Sequence, residues 1–168
     1  SELYTEFVEI DQLIEKYEAR IRSLAKTHED CKRLLKIPGV GPLTATAVIA
    51  HVGDAKHFKK GRDFAAYLGL TPQEHSSGGK QRLLGITKRG NIYLRKLLIQ
   101  GSRTVLQWAR IKENPEMGWR KKWPLSLSER RGPFVASVAQ ANKTARIIWA
   151  VLAHGIEYMP ELDNVCQQ

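Results

Sequence analysis

Apolar side chains at Leu3, Phe7, Ile10, Ile14, Tyr17, Ile21 and Leu24 recur at alternating intervals of four and three residues. His28, Cys31 and Leu35 continue the step with weaker residues. Glu and Lys/Arg fill most of the positions between, and neither Gly nor Pro interrupts residues 1–36. The pattern predicts one long helix with a coiled-coil seam, residues 1–33. A stripe of this kind cannot be buried by its own helix. Self-association through residues 3–35 is the simpler expectation, giving a homo-oligomer. The alternative is a helix folded back on its own chain. Tyr17 in the seam argues against an evenly packed parallel dimer.

The next pattern is helix, glycine turn, alanine-rich helix. Leu34-Leu35-Lys36-Ile37 leads into Pro38-Gly39-Val40-Gly41-Pro42, and Leu43-Thr44-Ala45-Thr46-Ala47-Val48 follows. Residues 34–52 are predicted to form a helix-hairpin-helix. Pro42 suits a first helical position, and the glycines permit positive φ and close backbone approach. Free N–H groups at Gly39, Gly41 and Thr44 could take a phosphate oxygen without reading a base. A plain tight turn between packed helices is the competing interpretation.

Further on, Arg62–Leu68 reads as a short helix stopped by Gly69 and Pro72. Residues 73–90 form a loop with two basic turns, and no convincing strand run is found. A helix is predicted over 91–110, with Leu94, Leu97, Gly101, Val105 and Trp108 on its apolar face. Lys96, Gln100, Arg103, Gln107 and Arg110 lie opposite. Residues 113–133 carry Pro115, Gly118, Pro124, Gly132 and Pro133 and are predicted as a loop. Within it, Trp119 and Trp123 flank Arg120, Lys121 and Lys122, cations interleaved with aromatics that can stack on bases. A structural role, pinning the loop to the core, competes with that. Phe134, Val138, Ala141, Ala145, Ile148 and Leu152 define a last core helix, 134–155, before a flexible tail, 156–168. The expected fold is all-α: a long coiled-coil helix, then a compact helical domain over residues 34–155.

Charge changes this picture more than composition does. The chain has 168 residues and a formal net charge of +10. Residues 1–74 hold 11 basic and 11 acidic side chains, so the excess lies wholly in residues 75–168. Between His75 and Lys112 there are nine Lys/Arg and no Asp or Glu. An even scatter would have put about four acids there. A one-signed field attracts polyanions, so nucleic-acid contact is expected through Lys80, Arg82, Lys88, Arg89, Arg95, Lys96, Arg103 and the Arg120–Lys122 run. The two cysteines, Cys31 and Cys166, form no CxxC pair, which argues against a zinc site and a disulfide framework. No apolar run is long enough to span a membrane. A cytoplasmic, nucleoid-associated location is expected. The start at Ser1 reads as a fragment or processed boundary.

Candidate chemistry is sparse. No phosphate-binding GxxxxGK[ST], HExxH or GxSxG pattern occurs, and the acids of residues 1–30 fall on the outer faces of the heptad. That leaves Ser76-Ser77-Gly78-Gly79, a small-residue loop ringed by Lys80, Arg82, Lys88 and Arg89. A serine needs a base, a metal or nearby cations to act as a nucleophile, and cations also stabilise charge on phosphoryl oxygens. Loops of this composition are usually only loops.

A set of spaced motifs sharpens the choice. Ile37-Pro38-Gly39-Val40-Gly41-Pro42-Leu43-Thr44-Ala45, Gly53-Asp54 with Phe58, and Phe64-Ala65-Ala66-Tyr67-Leu68-Gly69-Leu70-Thr71-Pro72 occur in order. Ser77-Gly78, Gly85-Ile86-Thr87-Lys88-Arg89-Gly90-Asn91 and Leu94-Arg95 follow. Over residues 34–106 the chain resembles the DEDD-type insertion-sequence transposases related to the invertase Piv, the bridge-RNA-guided recombinases. Asn142-Lys143-Thr144-Ala145 is similar to the C-terminus of one subgroup. The resemblance implies a RuvC-like domain with four acidic metal ligands, joined by a coiled coil to a C-terminal transposase domain bearing a serine nucleophile. The serine maps best onto Ser77, directly before the glycine, with Ser76 as second choice. It would attack the DNA backbone and hold it as a phosphoserine. The RuvC-like half is absent from these residues, so no metal or other cofactor is expected in this fragment. A divalent ion such as Mg would serve that missing half, and the fragment alone is expected to be inactive. DNA and a structured guide RNA are the implied partners. The alternative from another class is a non-enzymatic helix-hairpin-helix module of a repair or recombination accessory protein. An RNA-binding dimerisation module is a third reading.

Overall fold

The computed structural model describes residues 2–74, 83–111 and 118–159, with the backbone alone at Leu83 and 118–122. Among these residues the fold is helical, with one short strand pair. In chain order it runs α1 (Glu2–Thr27), α2 (Glu29–Leu35), α3 (Pro42–Val52), a single 3-10 turn (Ala55–His57) and α4 (Gly61–Tyr67). Then come β1 (Pro72–Glu74), β2 (Leu83–Ile86), α5 (Ile92–Ile111), α6 (Gly118–Arg131) and α7 (Pro133–His154). The all-α expectation holds, and among the described residues no helix is long and apolar enough to cross a membrane.

The N-terminal heptad helix forms but does not run unbroken to residue 33. His28 is extended (φ −80°, ψ 124°) and separates α1 from α2. The Thr27 hydroxyl turns back onto the Ser23 and Leu24 carbonyls, which closes α1. Glu29 and Asp30 then occupy the first turn of α2, where carboxylates favour the positive end of a helix dipole. The break lets Ala25, Cys31 and Leu34 enter the core together. Burial pushes the Cys31 thiol up, so it behaves as a small core side chain. The N-terminal part of the seam stays bare: Leu3, Phe7, Ile10, Ile14 and Tyr17 are all exposed.

The body is assembled around α7, which touches α2, the 3-10 turn, α4, α5 and α6. Small residues make this possible, because Ala141 and Ala145 are fully buried and let neighbouring helices approach. Phe64, Leu68, Leu94, Leu98, Ile148 and Val151 fill the centre. Trp149 fixes the 3-10 turn by donating its indole N–H to the Phe58 carbonyl at 3.0 Å. Phe134 was expected at the head of the core face but is 75% exposed.

Three further expectations are corrected. Residues 118–131, read as loop because of Pro124, are α6. A proline inside a helix costs about 3 kcal/mol. Packing against α7 outweighs it, with Pro124 and Ser128 buried and Arg110 Nη2 donating to Ser128 Oγ at 2.6 Å. The buried face of α5 is Leu94, Leu98, Ser102, Leu106 and Ala109, so it is rotated from the predicted one and leaves Trp108 exposed. The first residues of the expected flexible tail are also tied down. Glu157 pairs with Lys36 across 2.5 Å, and Tyr158 packs against the core. Residues 160–168 lie outside the described residues.

Candidate nucleic-acid interface and serine-bearing hairpin

The 73–90 segment, expected as loop throughout, has an antiparallel stem. Pro72 faces Ile86 and Glu74 faces Leu83, with an irregularity in register between. Two strands this short carry no readable alternation, which is why the sequence did not show them. Ser76, Ser77, Lys80 and Arg82 belong to residues 75–82, which join the strands and lie outside the described residues.

The foot of this stem is fixed by a run of five carbonyls, each accepting from a later part of the chain. Tyr67 O accepts from the Asn91 N–H, Gly69 O from Lys88 and Thr71 O from Thr87. Leu68 O accepts from Arg95 Nη1 at 3.1 Å, and Leu70 O from Asn142 Nδ2 at 3.0 Å. Asn91 also caps α5 through its side chain, accepting from the Leu94 N–H at 2.9 Å. Gly90 sits at φ 119°, and a Cβ there would run into the Tyr67 carbonyl. The stem is therefore tied at once to α4, α5 and α7.

Arg95 belongs to this scaffold and not to an open cationic face. It is buried on α5 and its guanidinium serves the Leu68 carbonyl. A hydrogen bond from a charged donor contributes about 1.5–3 kcal/mol. Arg95→Met should lower stability by about that amount in urea unfolding, while the salt dependence of DNA binding keeps its slope. A flattened slope would return Arg95 to the phosphate contacts.

The cations that do face solvent are Lys88 and Arg89 at the foot of the stem, and Lys96 and Arg103 on α5. Arg103 is steadied by Gln100 Oε1 at 3.1 Å. Lys88 holds a left-handed backbone (φ 55°), which costs a non-glycine residue about 1–2 kcal/mol. The Lys88 side chain is exposed, so the strain is not offset by burial. Lys88→Gly should raise thermal stability and weaken nucleic-acid binding together; lower stability, or unchanged binding, would contradict this.

The predicted hairpin at 34–52 is a helix, turn and helix, but its residues divide. Gly39, at φ 82°, packs against Gly101 of α5, with no room for a Cβ on either. Thr44 is buried. Gly41, at the head of α3, is open, with Pro42 and Leu43 exposed beside it. Gly39 and Thr44 thus serve packing, whereas Gly41 is half-buried with open space where a Cβ would stand. Arg120, Lys121 and Lys122 lie in the first turns of α6, with their side chains outside the described residues.

Asn142 was not among the expected site residues. Its signal was present in the Asn142-Lys143-Thr144 motif, but its partner, Leu70, is far away in sequence. Among the described residues no three His, Cys, Asp or Glu side chains come together to hold a metal.

Comparison with known proteins places the chain among transposases by sequence. The "Transposase IS116/IS110/IS902 family" pattern matches residues 31–116, from α2 past the end of α5. The "Transposase for insertion sequence element IS1111A" of Coxiella burnetii is 48% identical over 156 residues, covering 93% of this chain and 42% of that protein. The "Probable family 20 transposase" of Pseudomonas aeruginosa is 43% identical over 159 residues, covering 95% and 46%. The "Transposase for insertion sequence element IS1328" of Yersinia enterocolitica is 38% identical over 142 residues, covering 84% and 41%. The chain thus spans under half the length of these relatives. On these matches, the chain belongs to the IS116/IS110/IS902 family of transposases.

Proposed function

We propose that this chain is the nucleic-acid-binding, nucleophile-bearing C-terminal half of a site-specific DNA transposase. The observation that carries this reading is the anchored stem, with Lys88 and Arg89 exposed at its foot; the residues that connect its strands in sequence, 75–82, include Ser76-Ser77-Gly78-Gly79. In the proposed step, Ser77 Oγ attacks the scissile phosphorus in line. The Oγ–P bond forms, the bond to the departing sugar oxygen breaks, and the proton lost from Oγ is balanced by one gained at that oxygen. The nearby cations offset charge on the non-bridging oxygens. Re-attack by a sugar hydroxyl releases the serine and joins the strands.

DNA is the proposed substrate, and a structured guide RNA is a proposed partner for the same positive half. The divalent ion implied by the resemblance is proposed to belong to a RuvC-like half outside these residues. The bare seam of α1 supports a coiled coil with a second helix, in a homo-oligomer or elsewhere in the longer protein. This chain alone is therefore expected to bind DNA without recombining it. A strand-transfer assay should give product with the full-length transposase and none with the chain by itself. Product from the chain alone would contradict the division of labour.

A further inference from the structure

A groove of about 1170 Å³ runs between the β1–β2 stem and α7, with α6 forming its lip. Its floor is apolar, built from Leu70, Ile86 and Val138, and Phe134 stands at its edge. Lys88, Arg131, Lys143 and Arg146 line it, and no Asp or Glu does so among the described residues. Lys143 lies over the Trp123 ring, 5.3 Å from its centre.

This combination has a specific use. A duplex held by its phosphates needs a cationic surface and has no need of an apolar trough. A protein partner would cover the apolar floor but gives no reason for four cations and no acid. An unpaired strand offers both surfaces: base faces that stack on aromatics and phosphates that pair with cations. One wall of the groove is the stem, whose two strands are joined in sequence by the residues that include Ser77. We propose that the groove binds an unpaired DNA strand, the one leading to or from the scissile phosphate, with a base stacked on Phe134 and phosphates on Lys88 and Arg131. The proposal rests on the reading of Ser77 as the nucleophile, since that reading makes DNA the strand that must lie along the stem.

Both Phe134 and Arg131 are exposed, so replacing them leaves the core intact. The test uses the chain carrying Ser77→Ala, which removes covalent chemistry. Fluorescence anisotropy compares a labelled 20-mer DNA strand, its duplex, and RNA of the same sequence, before and after adding Phe134→Ala and Arg131→Ala. The double change should weaken single-stranded DNA binding about tenfold or more, and duplex binding by no more than about twofold. Iodouracil-substituted DNA should photocrosslink to the peptide containing Phe134. The proposal is overturned by equal losses for strand and duplex, by no loss, by RNA taking the crosslink in preference to DNA, or by a change in oligomeric state showing that a second copy fills the groove. Because no chemistry is involved, failure here leaves the phosphoserine reading standing. Failure to form an adduct in the active protein would likewise leave this binding result standing.

Discussion

Replacing Gly101 by valine is expected to lower stability by about 3 kcal/mol, seen as an earlier midpoint in urea unfolding followed by helical circular dichroism. At this position α5 meets the turn between α2 and α3 backbone to backbone, and a Cβ on Gly101 would run into the Gly39 carbonyl. Neither element can yield cheaply. The turn is fixed by Val40 donating to Ile37 O at 3.0 Å, and α5 is held by Leu94 and Leu98 in the core. Gly85→Ala is the matched control, because a Cβ there meets open space. It should be neutral, or stabilising by a few tenths of a kcal/mol to about 1 kcal/mol. An unchanged midpoint for Gly101→Val would mean that the turn and α5 do not meet.

Ser77→Ala in the full-length transposase should abolish the covalent protein–DNA adduct, a loss of signal beyond about a thousandfold, while DNA affinity stays within about twofold. In the proposed mechanism, removing the Ser77 oxygen leaves no intermediate, whereas the cations proposed to bind phosphate remain. Denaturing gel electrophoresis with labelled DNA reads the adduct, and anisotropy reads the binding. If the adduct survives Ser77→Ala and is lost in Ser76→Ala, the nucleophile is the preceding residue. Loss of binding along with the adduct would make the serine segment a contact loop.

Local regularities were readable in the chain; long-range ties were not. The heptad from Leu3 to Leu24 shows itself because its period is a property of one helix. The break at His28 does not, since it is set by where Cys31 and Leu34 must point in a core made largely by later residues. Pro124 was given its local meaning, a helix breaker, and the buried contacts of α6 with α7 overruled it. Arg95 illustrates the same limit at the candidate site. Its charge placed it among phosphate contacts, whereas the Leu68 carbonyl, 27 residues earlier, claims it. The exposed positions of Lys88, Arg89, Lys96 and Arg103 did follow from sequence, because helix phase and turn composition keep them out of the core. The stem was hidden because its strands are short and its anchors, Asn91, Arg95 and Asn142, come from two different helices. The choice of Ser77 over Ser76 came from the order of motifs and not from any physical property of the loop.

In the proposed mechanism, one serine of the 75–82 segment becomes covalently joined to DNA. The most direct test traps the full-length transposase on a cleavable DNA site, digests the protein and the DNA, and sequences the nucleotide-bearing peptide by mass spectrometry. The account predicts a phosphodiester on Ser77, within the tryptic peptide that follows Arg62 and ends at Lys80. A nucleotide on any residue outside 75–82, or cleavage and joining with no covalent intermediate, would contradict it.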